Sequence, residues 1–213
     1  MGQDYVLNKD YFIDVIKDLI VLAEEKRDYF TGLDSAIGDG DHGINLSIGF
    51  REVEKNLEEW AKEDLTTFFR KVGMALLSKV GGSAGPLYGS FFMKFGTPAN
   101  GKDEVNFQEF YEMFKVAVES IEARGKAVVG EKTMVDALRP GLDAFEKAIE
   151  EGLAPKEAFN KFKEAANEGA DSTIPLVAKK GRAMRLGERA VGHKDPGAAS
   201  SAAFIETFYN KLP

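Results

Sequence analysis

Apolar residues recur at three- and four-residue spacing along most of this chain, and no stretch alternates convincingly over the length of a strand. Phe12, Ile16, Leu19, Ile20 and Ala23 form one stripe. Leu46, Phe50, Val53 and Leu57 form a second, and Leu65, Phe68, Phe69, Val72 and Leu76 a third, with Asp64 placed to cap it. Phe107, Phe110, Phe114, Val118 and Ile121 make a fourth, opened by Asn106 and Glu109 in a capping-box pattern. Further helices are predicted to start near Pro86, Thr133, Pro155 and Ala198. About eight helices of roughly 10 to 20 residues, joined by short loops, predict an all-α fold of antiparallel helices in a bundle. Thr97–Val105 reads as a longer surface loop turning at Asn100-Gly101. A chain of 213 residues, 44% hydrophobic, suits one globular domain with a sizeable core or two small ones. Without a repeat or a low-complexity linker, one domain over 1–213 is expected.

Several function classes are disfavoured by composition. A net charge of −7 leaves no nucleic-acid footprint. Cysteine is absent, so disulfides and thiolate chemistry are excluded, which fits a reducing cytoplasm. No apolar run approaches transmembrane length, and the start lacks a basic region followed by an apolar one. Met1-Gly2 opens like a myristoylation signal, but Val6 stands where serine or threonine is required. A soluble cytoplasmic protein with no membrane association is expected.

The loops are more unusual than the helices. Gly38–Asn45, Gly81–Gly89, Gly125–Thr133 and Gly181–Gly197 are dense in glycine, aspartate or arginine, and loops at one end of an up-and-down bundle can converge. In the first, Asp34, Asp39 and Asp41 stand close to Gly38, Gly40, Gly43, His42 and Asn45. Carboxylate oxygens are the ligands Mg²⁺ prefers, and glycines let backbone approach phosphate closely. Asp39 and Asp41 would diverge on a helix, but a loop turns both to one point, and Asp34 can arrive from the preceding helix. If Asp41 opens the next helix, the free N–H groups of its first turn face an anion. Carboxylates beside phosphate repel it unless cations lie between, so the loop predicts metal and phosphate together. A solvated acidic turn has the same composition. An EF-hand does not fit, because the twelfth position from Asp39 is Phe50 rather than glutamate.

The second loop, through Ser83, Ala84 and Pro86, has no Lys-Ser or Lys-Thr and is not a Walker A loop. Its small residues would let a base or ribose lie against backbone, or would simply permit a tight interhelical turn. In the fourth loop, Arg182 offers a guanidinium fork for phosphate, and Asp195-Pro196-Gly197 is a turn able to close over a base. A basic surface segment is the plainer alternative there. His42 and His193 are the only histidines. The acidic setting of His42 suggests ligand contact, whereas His193 stays open.

Taken together, Asp34–Asn45, Val80–Pro86, Lys132-Thr133-Met134, Lys180-Gly181-Arg182, Leu186–Arg189 and Gly192–Gly197 resemble the L subunit of bacterial dihydroxyacetone kinase, in order and over nearly the whole chain. The resemblance implies an eight-helix, barrel-like bundle with ADP or ATP at one end. It implies two Mg²⁺ ions on Asp34, Asp39 and Asp41. It also implies nucleotide contacts from His42, Gly43, Ile44, Asn45, Ser83, Ala84, Gly125, Met134, Arg182, Asp195, Pro196 and Gly197. The implied partners are a K subunit that holds dihydroxyacetone and a phosphohistidine carrier, the M subunit, of the phosphoenolpyruvate phosphotransferase system. A homodimer is left open, and no catalytic base is assigned. Met184-Arg185 departs from the Ser-Tyr frequent in the family, which bears on partner identity. Two alternatives stand beside this one: an ATP-exchanging subunit of a related sugar or polyol kinase, and a nucleotide-loaded co-regulator that binds a transcription factor.

Overall fold

The computed structural model describes residues 5–213, so the Met1-Gly2 start lies outside the described residues. Among these, nine α-helices follow one another: α1 (Lys9–Glu25), α2 (Arg27–Ile37), α3 (His42–Trp60), α4 (Leu65–Lys79), α5 (Ala84–Phe95), α6 (Phe107–Gly125), α7 (Val135–Glu150), α8 (Pro155–Ser172) and α9 (Pro196–Lys211). Eight are those the periodicity predicts. The additional one is α2, which follows a break at Lys26 (φ −95°, ψ 6°) and buries only Phe30, Asp34 and Ile37. Two buried apolar residues a heptad apart leave little periodic signal. No helix among the described residues is long and apolar enough to cross a membrane.

The capping chemistry is in place. Asp64 accepts from the Thr67 amide at 3.0 Å. Asn106 and Glu109 exchange reciprocal bonds, each 2.9 Å, at the start of α6. The expected loop over Thr97–Val105 is more ordered than predicted. Thr97–Ala99 makes a 3-10 turn, Asn100 and Gly101 take left-handed φ of 50° and 77°, and Glu104–Asn106 then forms a strand. This strand (β2) pairs antiparallel with Val6–Asn8 (β1), Leu7 opposite Val105. Neither three-residue strand is long enough to show alternation in sequence.

From α3 onward each helix packs against its successor, and α9 returns to α1 and α2, closing the circuit. Phenylalanines fill the interior. Phe114 of α6 meets Phe95 of α5 at 4.8 Å between ring centroids, Phe208 of α9 at 5.0 Å, and Phe162 and Phe159 of α8 at 5.2 and 5.3 Å. Most of these pairs are edge-to-face, the arrangement ring quadrupoles favour. Helices α4 and α5 approach closely because glycines meet: a Cβ on Gly73 would lie 2.6 Å from the Gly89 carbonyl oxygen. The α2–α3, α4–α5, α6–α7 and α8–α9 connections contribute to one cavity.

Candidate functional site

That cavity has a volume of about 230 Å³. Its wall includes Asp34, Asp39, Asp41, His42, Asn45, Ser83, Ala84, Gly125, Met134, Arg182, Asp195, Pro196 and Gly197, thirteen of the fifteen residues singled out from sequence. Helices α3, α5, α7 and α9 all begin on it, so the electropositive ends of four helices, with N–H groups that lack intrahelical acceptors, face one space. Gly43 and Ile44 are not in the wall. Gly43 is pressed against α2, where a Cβ would overlap the Arg27 carbonyl and lie 2.7 Å from Thr31 Oγ1. The Ile44 side chain is exposed. As the second and third residues of α3, both keep free backbone N–H groups.

The three aspartates converge. One carboxylate oxygen from each of Asp34, Asp39 and Asp41 lies within 4.8 Å of the others. Asp34 is buried and comes from the last turns of α2. Its Oδ2 accepts from the Asp41 amide at 2.8 Å and the His42 amide at 3.1 Å, capping α3 from outside the helix. Its Oδ1 is cradled by Gly38, where a Cβ would overlap it. Asp39 is exposed and paired with Arg182 of the α8–α9 loop. Such a set suits a hard divalent cation: the donors are oxygens, one carboxylate is oriented by amides, and a glycine leaves its second oxygen room. The Arg182 guanidinium on Asp39 already answers the same demand for positive charge.

His42 is buried in the wall. Its Nε2 lies 2.8 Å from Ser200 Oγ, and Ser200 in turn lies 2.6 Å from the Tyr88 hydroxyl, which also reaches Ser201 at 3.1 Å. This chain joins α3, α9 and α5 behind the cavity. Burial pushes the imidazole down to about 4, against the pull of Asp34 and Asp41, so His42 is neutral at pH 7. Tyr88 and Ser200 carry no sequence signal of their own, because their pairing spans more than a hundred residues.

Asp195 caps α9 by accepting from the Ala198 amide at 2.8 Å. It is partly exposed to the cavity yet enclosed by protein, and this desolvation raises its carboxyl to about 7; Asp136 adds to the rise while the cap bond and Lys132 oppose it. Asp136 fixes the α6–α7 loop by accepting from Gly130 and Thr133 at 2.6 and 2.7 Å. The His193 side chain is exposed, and its backbone carbonyl makes the contact, to Lys132. Lys132, whose only sequence signal is its place in Lys132-Thr133-Met134, is buried in the wall.

A DAK2 domain family model matches residues 36–210. The chain is 54% identical over 211 residues to the ADP-binding subunit DhaL of PEP-dependent dihydroxyacetone kinase 2 from Listeria innocua, covering 98% of this chain and 97% of that one. It is 40% identical over 173 residues to the ADP-binding subunit DhaL of the Escherichia coli PEP-dependent enzyme, covering 81% and 82%. Among solved structures, the dihydroxyacetone kinase of C. freundii in complex with AMP-PNP and Mg²⁺ superposes with a TM-score of 0.72 at 24% identity, over 93% of this chain. The chain spans about a third of that longer protein (33%), and the likeness is one of fold. On the extent of the DAK2 match and the near-complete alignment with the Listeria subunit, this chain belongs to the DAK2 domain family.

Proposed function

We propose that this chain, as a single domain over 1–213, is the nucleotide-binding subunit of a phosphoenolpyruvate-dependent dihydroxyacetone kinase in the cytoplasm. The observation that carries the reading is the convergence of three aspartate oxygens within 4.8 Å, beside Arg182, on a cavity where four helices begin. The Listeria and E. coli relatives are named ADP-binding subunits of PEP-dependent dihydroxyacetone kinases, which supports dihydroxyacetone as the substrate class; the partners would be a K subunit holding dihydroxyacetone and a phosphohistidine carrier. Asp34, Asp39 and Asp41 would hold two Mg²⁺ ions. Bound there, ADP would accept a phosphoryl group and pass it on, with Mg²⁺ neutralising charge between carboxylates and phosphates.

The chain's own residues supply position and charge. Arg182 would exchange its carboxylate partner for phosphate oxygens, as a guanidinium fork is suited to do. Neutral His42 and Asn45 would orient polar groups, and the N–H groups opening α3 and α5 would meet anionic oxygens. Small residues at Ser83, Ala84, Gly125 and Gly197, with Met134 and Pro196, would flank a flat base. Asp195 would hold the turn that closes over it. No side chain here acts as a covalent nucleophile; the work is preorganised electrostatics.

The test is nucleotide retention and exchange. Purified protein should carry ADP with Mg²⁺ through desalting and turn over repeatedly with a K subunit and a phosphohistidine donor, without added nucleotide. Labelled ADP in the subunit should stay there. Exchange of the label with unlabelled ATP on each cycle would replace this reading with an ATP-exchanging kinase subunit. Asp39→Asn should weaken ADP and Mg²⁺ binding together by calorimetry, and wild-type ADP binding in that variant would remove the metal assignment.

A further inference from the structure

Lys132 is 1% exposed, and its backbone takes a left-handed conformation with φ 63°. A non-glycine residue persists in that conformation only where its surroundings over-determine it. Its ammonium donates to three carbonyls: Thr173 at 2.7 Å, His193 at 2.5 Å and, more weakly, Ile174 at 3.4 Å. That uses all three of its N–H donors. Thr173 and Ile174 leave α8, and His193 leads into α9, so one ammonium on the α6–α7 loop grips both ends of the α8–α9 loop. The same base is closed by the Gly192 amide on the Ile174 carbonyl at 2.8 Å and by the Asp195 amide on Thr173 Oγ1 at 2.9 Å.

Between these ends runs a flap, residues 175–191, that carries Arg182. Beyond its base it is held at few points: Arg182 pairs with Asp39, and the Lys180 ammonium lies 4.0 Å from Glu131. Ala178, Ala183 and Ala190 bury against Ile37 in a small cluster apart from the main core. The Lys179 amide reaches the Glu131 carbonyl at 3.1 Å, again on the α6–α7 loop. Alanines bury little apolar area, Leu186 adds only a partly buried side chain, and solvent-exposed ion pairs such as those of Arg182 and Lys180 hold weakly, so the clasped base sets the flap's position more than its tip does. A lysine suits the base because a compact ammonium can turn toward three separate carbonyls, which the planar fork of arginine cannot match.

We infer that Lys132 is a positioning residue that clasps the base of the α8–α9 flap, holds Arg182 at the cavity and makes the α6–α7 loop and the flap open as one unit. The inference rests on reading the cavity as the nucleotide site; the clasp itself is tested without nucleotide.

Lys132→Met keeps the apolar stem and removes the donors. Hydrogen exchange read by mass spectrometry should show residues 175–191 exchanging roughly tenfold faster or more, the scale of losing bonds from a charged donor, while α4 and α5 keep wild-type rates. The ADP dissociation constant in Mg²⁺ should rise by a similar factor. Unchanged protection of the flap, a uniform rise across all helices, or unchanged ADP affinity with a loosened flap would overturn the inference. Where the variant does not fold, the wild-type protein decides. Over a denaturant series, residues 126–134 and 175–191 should exchange through one opening of common free energy, and separate openings would overturn the coupling. Wild-type protein that binds no ADP would refute the nucleotide site and leave the exchange result to judge the clasp.

Discussion

Replacing Gly38 with alanine probes how backbone size holds the first aspartate in place. A Cβ there would overlap Asp34 Oδ1, lie 3.0 Å from its Cγ and lie 3.1 Å from its carbonyl oxygen. The carboxylate must swing away, and Oδ2 then gives up its bonds from the Asp41 and His42 amides. A bond to a charged acceptor is worth about 1.5–3 kcal/mol. The Asp41 amide is only part-buried, so water recovers a share and the net loss should be about 2 kcal/mol. At about 2–4 °C per kcal/mol for a chain of this size, Tm should fall by about 4–8 °C. Gly32 supplies the control, because it lies in α2, the helix that carries Asp34, and nothing stands within 4 Å of a Cβ there. Gly32→Ala should stabilise by about 0.5–1 kcal/mol through helix propensity and a less flexible unfolded chain. Thermal melts followed by circular dichroism, with and without Mg²⁺ and ADP, read both effects. Ligand should raise the wild-type and Gly32→Ala melts by a similar increment, and the Gly38→Ala melt by less, since stabilisation follows occupancy. A wild-type melt for Gly38→Ala, or equal destabilisation by both alanines, would refute the displacement of Asp34.

Asp195 supplies a pH signature. Its folded-state carboxyl is raised to about 7 from an ordinary value near 3.8, so between those values the folded state holds more protons than the unfolded one. Its contribution therefore makes stability fall as pH rises from about 4 to about 7 and level off above. Asp195→Asn keeps an acceptor for the Ala198 amide and should lose that slope in urea unfolding followed across this range; parallel pH profiles for the two proteins would contradict the shift. Phe114→Ala removes a fully buried ring shared by α5, α6, α8 and α9 and should cost about 3–5 kcal/mol by chemical denaturation. A loss below about 1 kcal/mol would mean that the site collapses around the cavity instead of keeping it.

What the sequence determined about this protein is what local spacing encodes. The stripes through Phe12, Phe50, Phe69 and Phe114 fix helices because side chains three and four apart share a face. The caps at Asp64 and Asn106 are legible because donor and acceptor lie three residues apart. The aspartate loop is legible for the same reason, its ligand-type residues falling between Asp34 and Asn45. Helix α2 escaped because it buries so few apolar residues, and β1 and β2 because three-residue strands exist only through each other. For Gly43 and Ile44, nucleotide contacts by resemblance, the fold adds what spacing does not show: α2 packs against Gly43 and the Ile44 side chain is exposed, while both backbone N–H groups open α3. The hydroxyl chain from Tyr88 through Ser200 to His42, the clasp of Lys132 on both ends of the α8–α9 loop and the raised Asp195 carboxyl were settled by tertiary structure alone. Each depends on desolvation or on partners distant in the chain, and neither quantity exists until the helices have closed around the cavity.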